Sequence, residues 1–193
     1  MKRNILSALA LLVFLAGAAA ADRYAPSRGS FVRIEGTSTL HAWKMEGSTI
    51  DGSITAPPIE QWTNGTAHSE VSVSIPVTSI KSEHAKMDAL MAEALKAAAN
   101  PTIRYELTSA TLASRDANPL LSTRGKLTIA GVTREVEMQI AATRQPGNAY
   151  VLTGRVPIRM SDYGIKPPTA MLGTIKTGND VTVTIRWVVD TTN

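Results

Sequence analysis

Hydrophobic and polar positions alternate with a period of two along most of this chain, and most regularly around a single tight turn. From position 132 to 142 the even residues are Val, Arg, Val, Met, Ile and Ala, while the odd ones are Thr, Glu, Glu, Gln and Ala. That is the period of a strand with one wet face, not of a helix. A second apolar run, Lys126 to Ile129, precedes it, and Ala130-Gly131 separates the two. Glycine supplies the positive φ that a short hairpin loop requires at little steric cost, so the pair of runs predicts a β-hairpin with its register set by the turn.

The same alternation recurs on both sides of this hairpin. Ser30 to Leu40 places Val32, Ile34 and Leu40 on one face, with a bend expected near Gly36. Trp43 to Thr55 follows as a strand whose Gly47 and Gly52 mark a bulge or sharp bend. Arg23 to Pro26 reads as a loose start, and the stretch from Ala56 to Gly65 as a loop in which Asn64-Gly-Thr66 is a turn sooner than a glycosylation acceptor. Val71, Val73, Ile75 and Val77 form a third strand, which Pro76 should end or confine to an edge. Glu83 to Ala99 is rich in helix formers, with Met87, Leu90, Met91, Ala94, Leu95 and Ala98 on one face, Ser82 as N-cap and Asn100-Pro101 as the stop. Its Met stripe predicts packing against a sheet, or else a pliable lid.

Beyond the helix, Ile103, Tyr105 and Leu107 alternate, a polar connection runs from Ser114 to Pro119, and the hairpin of 120–129 and 132–144 comes next. Pro146-Gly-Asn148 is a turn leading to the strand of Tyr150, Leu152, Gly154, Val156, Ile158 and Met160. A long loop is expected from Ser161 to Gly178, then a last strand through Val181, Val183, Ile185, Trp187 and Val189. About eight strands joined mostly by short turns predict a mainly β chain, an antiparallel eight-stranded β-barrel with one inserted α-helix; a two-sheet sandwich is the alternative.

The first residues change the compartment. Lys2 and Arg3, an apolar run from Ile5 to Ala16 and the small residues Ala19-Ala-Ala21 have the three-part pattern of a secretory signal peptide spanning 1–21. The apolar run is too short for a permanent anchor. The chain has no Cys, which excludes acyl-thioether anchoring, so no stable membrane anchor is expected after cleavage. Taking 21 from 193 leaves 172 residues, 22–193, enough for one domain with a sizeable core held by packing instead of disulfides. Removing Lys2 and Arg3 lowers the formal charge from +4 to +2, too little to indicate a nucleic-acid partner.

Leu127-Thr-Ile-Ala-Gly-Val-Thr-Arg134 resembles the central hairpin of the YceI-like family of small bacterial periplasmic lipid-binding barrels. Gly36-Thr-Ser-Thr-Leu-His-Ala-Trp43 is similar to the family's early strand, Ile80 to Leu95 to its helix region, and Asn100-Pro-Thr-Ile-Arg-Tyr105 to its entry strand. Met160-Ser-Asp-Tyr-Gly164 is similar to a late segment. Asn100 stands where the family carries Tyr, and Tyr105 and Tyr163 where it carries Phe. The resemblance implies a lipocalin-like barrel in the periplasm, secreted if the host lacks an outer membrane, that binds or transports a long-chain amphiphilic lipid such as a polyisoprenoid or isoprenoid quinone.

Catalytic chemistry finds no local support. His41, His68 and His84 have no metal-ligand spacing, and there is no Cys nucleophile, Gly-x-Ser-x-Gly elbow or phosphate-binding glycine loop. No enzyme activity and no cofactor beyond a bound isoprenoid-type lipid are therefore expected. Glu135 and Glu137 fall on a wet face, and Lys166, Lys176 and Arg186 are scattered cations that a headgroup phosphate could use. An eight-stranded barrel is just wide enough to fill with side chains or to hold one slender ligand. The predicted lipid-binding residues are Trp43, Met45, Val136, Met138, Ile140, Val156, Ile158 and Met160, with Met171 and Leu172 at the mouth. The rival expectation is a filled barrel whose 161–178 loop docks a partner in the cell envelope; a homodimer is also compatible.

Overall fold

The computed structural model describes residues 21–62, 65 and 69–192. The predicted signal peptide, apart from Ala21, and the turn read at Asn64-Gly-Thr66, apart from Gly65, lie outside the described residues. The strands are β1 (Asp22–Pro26), β2 (Phe31–Ser38), β3 (Ala42–Gly47), β4 (Asp51–Ala56), β5 (Glu70–Pro76), β6 (Thr102–Ser114), β7 (Leu120–Ile129), β8 (Val132–Gln145), β9 (Ala149–Arg159), β10 (Thr169–Ala170) and β11 (Ile175–Thr191). One α-helix, α1 (Ala85–Ala94), lies between β5 and β6.

These strands make one closed antiparallel barrel of eight staves. β1 and β2 are two halves of one bent stave, and so are β3 and β4: β1 pairs with β4 (Tyr24 with Ile54) and β2 with β3 (Ile34 with Met45). The neighbours then run β4, β5, β6, β7, β8, β9 and β11. β11 closes the ring because its first half pairs with β2 and its last residues with β1, while β9 lies along its other side. Closure gives most of the ladder partners on both sides; among the described residues, only β3 within the ring has a single ladder neighbour, its other edge being met by one bridge from Glu46 to Lys81.

The bend in the second stave falls where glycine was expected to put it. Gly52 has φ +143, a region open in practice to glycine alone, and a Cβ there would lie 2.1 Å from the Ser72 carbonyl oxygen of β5. Ala130 and Gly131 both have positive φ, +50 and +84, the sign pattern of the type I′ turn that matches strand twist in a two-residue hairpin. Below that turn, Ile129 pairs with Val132 and Leu121 with Ile140.

Four expectations are corrected. Residues 23–26 are not loose: β1 is the strand that seals the barrel, its Tyr24 only 5% exposed. The 161–178 segment is not one long loop, because Thr169–Ala170 pairs with Lys176 and Ile175 and the final strand already begins at Ile175, absorbing a bulge between Thr177 and Val181. The helix stops at Ala94, well before Asn100-Pro101. Lys96 takes φ +51 there, with Ala97 N–H bonded to Ala92 O at 2.9 Å and Lys96 N–H to Glu93 O at 2.9 Å. That is the paired 6→1 and 5→2 closure of a Schellman motif, built on Lys where Gly is usual and therefore invisible to a composition reading.

At the other end of α1 the N-cap is His84, not Ser82. Ser82 acts two residues outside: its Oγ accepts the His84 N–H at 3.0 Å and donates to Asp88 Oδ1 at 2.8 Å, and its own N–H reaches the same carboxylate at 2.7 Å. These donors hold the Asp88 carboxyl below its usual range. β5 ends at Pro76 as its missing donor requires. Past it, Lys81 bridges Glu46 of β3 through two backbone bonds (2.7 and 2.8 Å), continuing the wall up to the helix.

Gly52→Ala is expected to lower unfolding stability by about 3 kcal/mol, since it forces both a strained φ and a backbone clash at a stave junction. Urea denaturation measures it, and a loss below about 0.5 kcal/mol, the range of an ordinary surface change, would contradict the assigned bend.

Candidate functional site: an apolar cavity inside the barrel

Alternation sends every second side chain of each stave inward, yet the barrel is not filled. A continuous cavity of about 600 Å³ runs through it, with an almost wholly apolar lining. Glycines explain the space. Gly36 of β2, Gly125 of β7 and Gly154 of β9 occupy inward positions, and each seats a large side chain from the neighbouring stave. A Cβ on Gly36 would lie 2.3 Å from the Trp43 ring, one on Gly125 2.4 Å from the Tyr105 ring, and one on Gly154 2.4 Å from Ile140 Cδ1. Trp43, Tyr105 and Ile140 therefore fold flat against the wall. Trp43 is further held by its indole N–H, which donates to Thr37 O at 3.0 Å.

The two ends differ. The end near β1 is plugged by aromatic and ionic groups: Tyr24 and Tyr150 meet edge to face with ring centroids 5.7 Å apart, and Trp62 packs beside them in the same core cluster. The Tyr150 hydroxyl donates to Glu60 Oε2 at 2.9 Å, Arg144 pairs with Glu60 Oε1 at 3.2 Å, and Arg115 donates to the Trp62 carbonyl. Burial, reinforced by the Asp22 and Glu60 charges, pushes the Tyr24 phenol up to about 12, and burial with the Glu60 hydrogen bond pushes Tyr150 higher still. At the opposite end the lining residues become exposed: Leu40 and His41 in the β2–β3 turn, His84 and Lys86 at the start of α1, and Met171 after β10. This is the mouth. Met87, Leu90 and Met91 of α1 and its C-cap Leu95 form part of the wall between the mouth and the interior.

Of the residues expected to surround a ligand, Trp43, Met45, Met138, Ile140, Val156, Ile158, Met160 and Met171 line the cavity. Val136 and Leu172 do not. Val136 lies opposite Gly125, the position roofed by the Tyr105 ring, and Leu172 projects outward, 108% exposed. Several liners escaped the sequence reading although their own strands alternate: Ile54, Val73, Ile103, Leu107, Val183 and Trp187. The signal was present in each strand; which strands face one another across a lumen is a property of closure.

Few polar atoms enter this space. The Thr123 hydroxyl gives its proton to Met138 O at 3.0 Å. The Tyr105 hydroxyl beside it and the Trp187 indole N–H are buried without a hydrogen-bond partner of ordinary geometry. Burial pushes the Tyr105 phenol up, with Thr123 partly offsetting it. Among the described residues no group of three or more His, Cys, Asp or Glu is placed to hold a metal ion.

The model of the YceI-like domain matches residues 22–189. The chain belongs to the YceI-like family. No curated protein matches it. Among solved structures this YceI-like chain is similar to BcnA of Burkholderia cenocepacia, with a TM-score of 0.67 at 15% identity over 82% of this chain and 95% of that one. It is equally similar to a polyisoprenoid binding domain from Saccharophagus degradans implicated in plant cell wall breakdown, with a TM-score of 0.67 at 14% identity over 88% and 98%. A YceI protein of Campylobacter jejuni gives 0.55 at 15% identity over 77% and 84%. At these identities the likeness establishes a shared barrel.

Two outcomes follow from the geometry of the two ends and the wall. Tyr24 and Tyr150 hold their protons more tightly folded than unfolded, so the stability they contribute is complete below pH 10, the ordinary phenol value, and is lost as pH rises from there through about 12. Melting temperature against pH should fall across that window and fall less in Tyr150→Phe; parallel curves would refute the assignment. Gly154→Val should push Ile140 into the lumen, costing about 1–3 kcal/mol by overpacking and weakening uptake of an apolar dye. Unchanged uptake by the folded variant would mean the seat does not control the space.

Proposed function

We propose that this YceI-like protein is a non-catalytic periplasmic carrier or sequestering protein for an amphiphilic isoprenoid-type lipid, held with its apolar chain inside the barrel. The observation that carries this reading is the cavity: about 600 Å³ of connected, apolar space, within the range of pockets that bury small ligands. Each methylene moved from water into such a lining contributes about 0.8 kcal/mol, so a long hydrocarbon chain supplies ample affinity without specific polar contacts. The reading of 1–21 as an export signal supports the periplasm, and the polyisoprenoid-binding character of the Saccharophagus neighbour supports the ligand class. The rival interaction module requires a filled interior, which a cavity of this size disfavours.

All three tryptophans of the chain, Trp43, Trp62 and Trp187, line the cavity, so the protein carries its own reporter. Titration of the mature protein with a long-chain isoprenoid quinone is expected to quench tryptophan fluorescence saturably at one ligand per chain. Val156→Asp and Met138→Glu, which place a charge where it cannot be solvated, should abolish the quench. A folded charged variant that quenches like the parent, or a parent that does not quench, would refute the proposal.

A further inference from the structure

We propose that the mouth of the barrel is a docking face for an anionic phospholipid surface, on which the protein seats peripherally while the lumen opens toward the bilayer. Among the described residues three large hydrophobic side chains are prominently exposed, Leu40 at 66%, Met171 at 73% and Leu172 at 108%, and all three stand at this one end. Leu40 and Met171 border the lumen itself. They come from two turns tied into one platform: Thr39 N–H donates to Lys176 O at 3.0 Å, Lys176 N–H to Thr39 Oγ1 at 3.1 Å, and Thr39 Oγ1 to Thr174 O at 3.3 Å.

The backbone beneath two of these tips is strained. Met171 and Leu172 have φ +51 and +54, followed by Gly173 at +87. Left-handed backbone is costly for side chains of this kind and readily adopted by Gly or Asn. A turn shaped only for stability would carry Asn or Gly at 172; a fully exposed Leu there serves an apolar environment outside the protein.

Charge identifies that environment. Lys86 stands at the rim beside His84, and Lys166 and Lys176 flank the Met171-Leu172 turn; among the described residues none of the three lysines is within ion-pair distance of an acid, while of the acids at that end Asp88 is paired with Lys81 and Asp180 with Arg159, and Glu83, Glu93 and Asp162 are exposed. Apolar tips ringed by free lysines match the interface of an anionic bilayer, where the tips enter the headgroup boundary and the lysines meet phosphates. The face rests on the lipid-carrier reading only for what passes through the mouth, so docking is measurable without cargo.

The test is co-sedimentation of the mature full chain with isoprenoid-free vesicles of phosphatidylethanolamine and phosphatidylglycerol, against vesicles of phosphatidylcholine alone. Wild type should partition onto the anionic vesicles, with binding falling as salt rises. Leu172→Asn, which suits the backbone, should retain the melting temperature while weakening partition about tenfold, and adding Leu40→Ser about tenfold more. Lys166→Gln and Lys176→Gln should each weaken it about fivefold on anionic vesicles only. Docking without any quinone quench would support this face and refute the cargo reading. Absence of vesicle binding by wild type, binding unaltered in Leu172→Asn/Leu40→Ser, or a concentration-dependent dimer that Leu172→Asn abolishes in place of vesicle binding would overturn it.

Discussion

An eight-stranded barrel is poised between a packed core and a container, and in this chain the close approach of side chains to inward glycines decides between them. Trp43, Tyr105 and Ile140 are large enough to fill the lumen, yet each lies across a glycine of the adjacent stave, so their volume goes into the wall. An apolar cavity of about 600 Å³ forfeits dispersion contacts along its whole lining. Water gains little in such a space without polar partners. A long apolar ligand removes the cost and gains the burial.

The two ends then give the container a direction. At the β1 end, Tyr24, Tyr150 and Trp62 close the lumen and Glu60 with Arg144 ties the plug to the staves, so removing that end would disturb an ionic and aromatic network. At the mouth the wall is made of a helix of nearly three turns with no fully buried residue until its C-cap Leu95, and of two short turns. Its few buried contacts put that end among the segments that open most readily. The thioether side chains of Met87 and Met91 let it adapt to chains of differing shape. Entry and exit therefore belong to the end that is cheaper to move.

Much of the barrel was legible because a half-buried strand writes its burial into every second residue. The hairpin around Ala130-Gly131, the strand that ends at Arg159, the Val181 to Val189 alternation within β11 and the bend at Gly52 all fall where the alternation and the glycines put them. Eight of ten expected ligand-facing residues line the cavity, six of them on strands and Met160 one step beyond β9, as parity along a strand survives any closure of the sheet, while Met171 reaches it from a turn. What was not legible depends on partners distant in sequence. β1 looks loose on its own because its order comes from β4 and β11, at the far end of the chain. The helix end at Lys96 carries no glycine, so only hydrogen bonding reveals it. Val136 has the right parity, but the residue that covers its neighbour is Tyr105, on another stave.

The departures from the family pattern have a physical trace. Tyr105 and Tyr163 stand where Phe is usual, and the hydroxyls they add are buried without partners, in the wall of the lumen and beneath the Met160–Tyr163 turn respectively. Asn100 packs its side-chain amide against Gly131, 2.9 Å from where a Cβ would be, and so supports the central turn from outside the hairpin. Tyr105 lines the lumen with its ring while its hydroxyl stays buried in the wall. The central claim, a container kept open for a lipid, is tested most directly by native mass spectrometry of the mature protein, exported from a bacterial host and purified without detergent, with solvent extraction of whatever it holds. The account predicts one long-chain amphiphile per chain; a bare protein mass that persists after isoprenoid lipids are offered would contradict it.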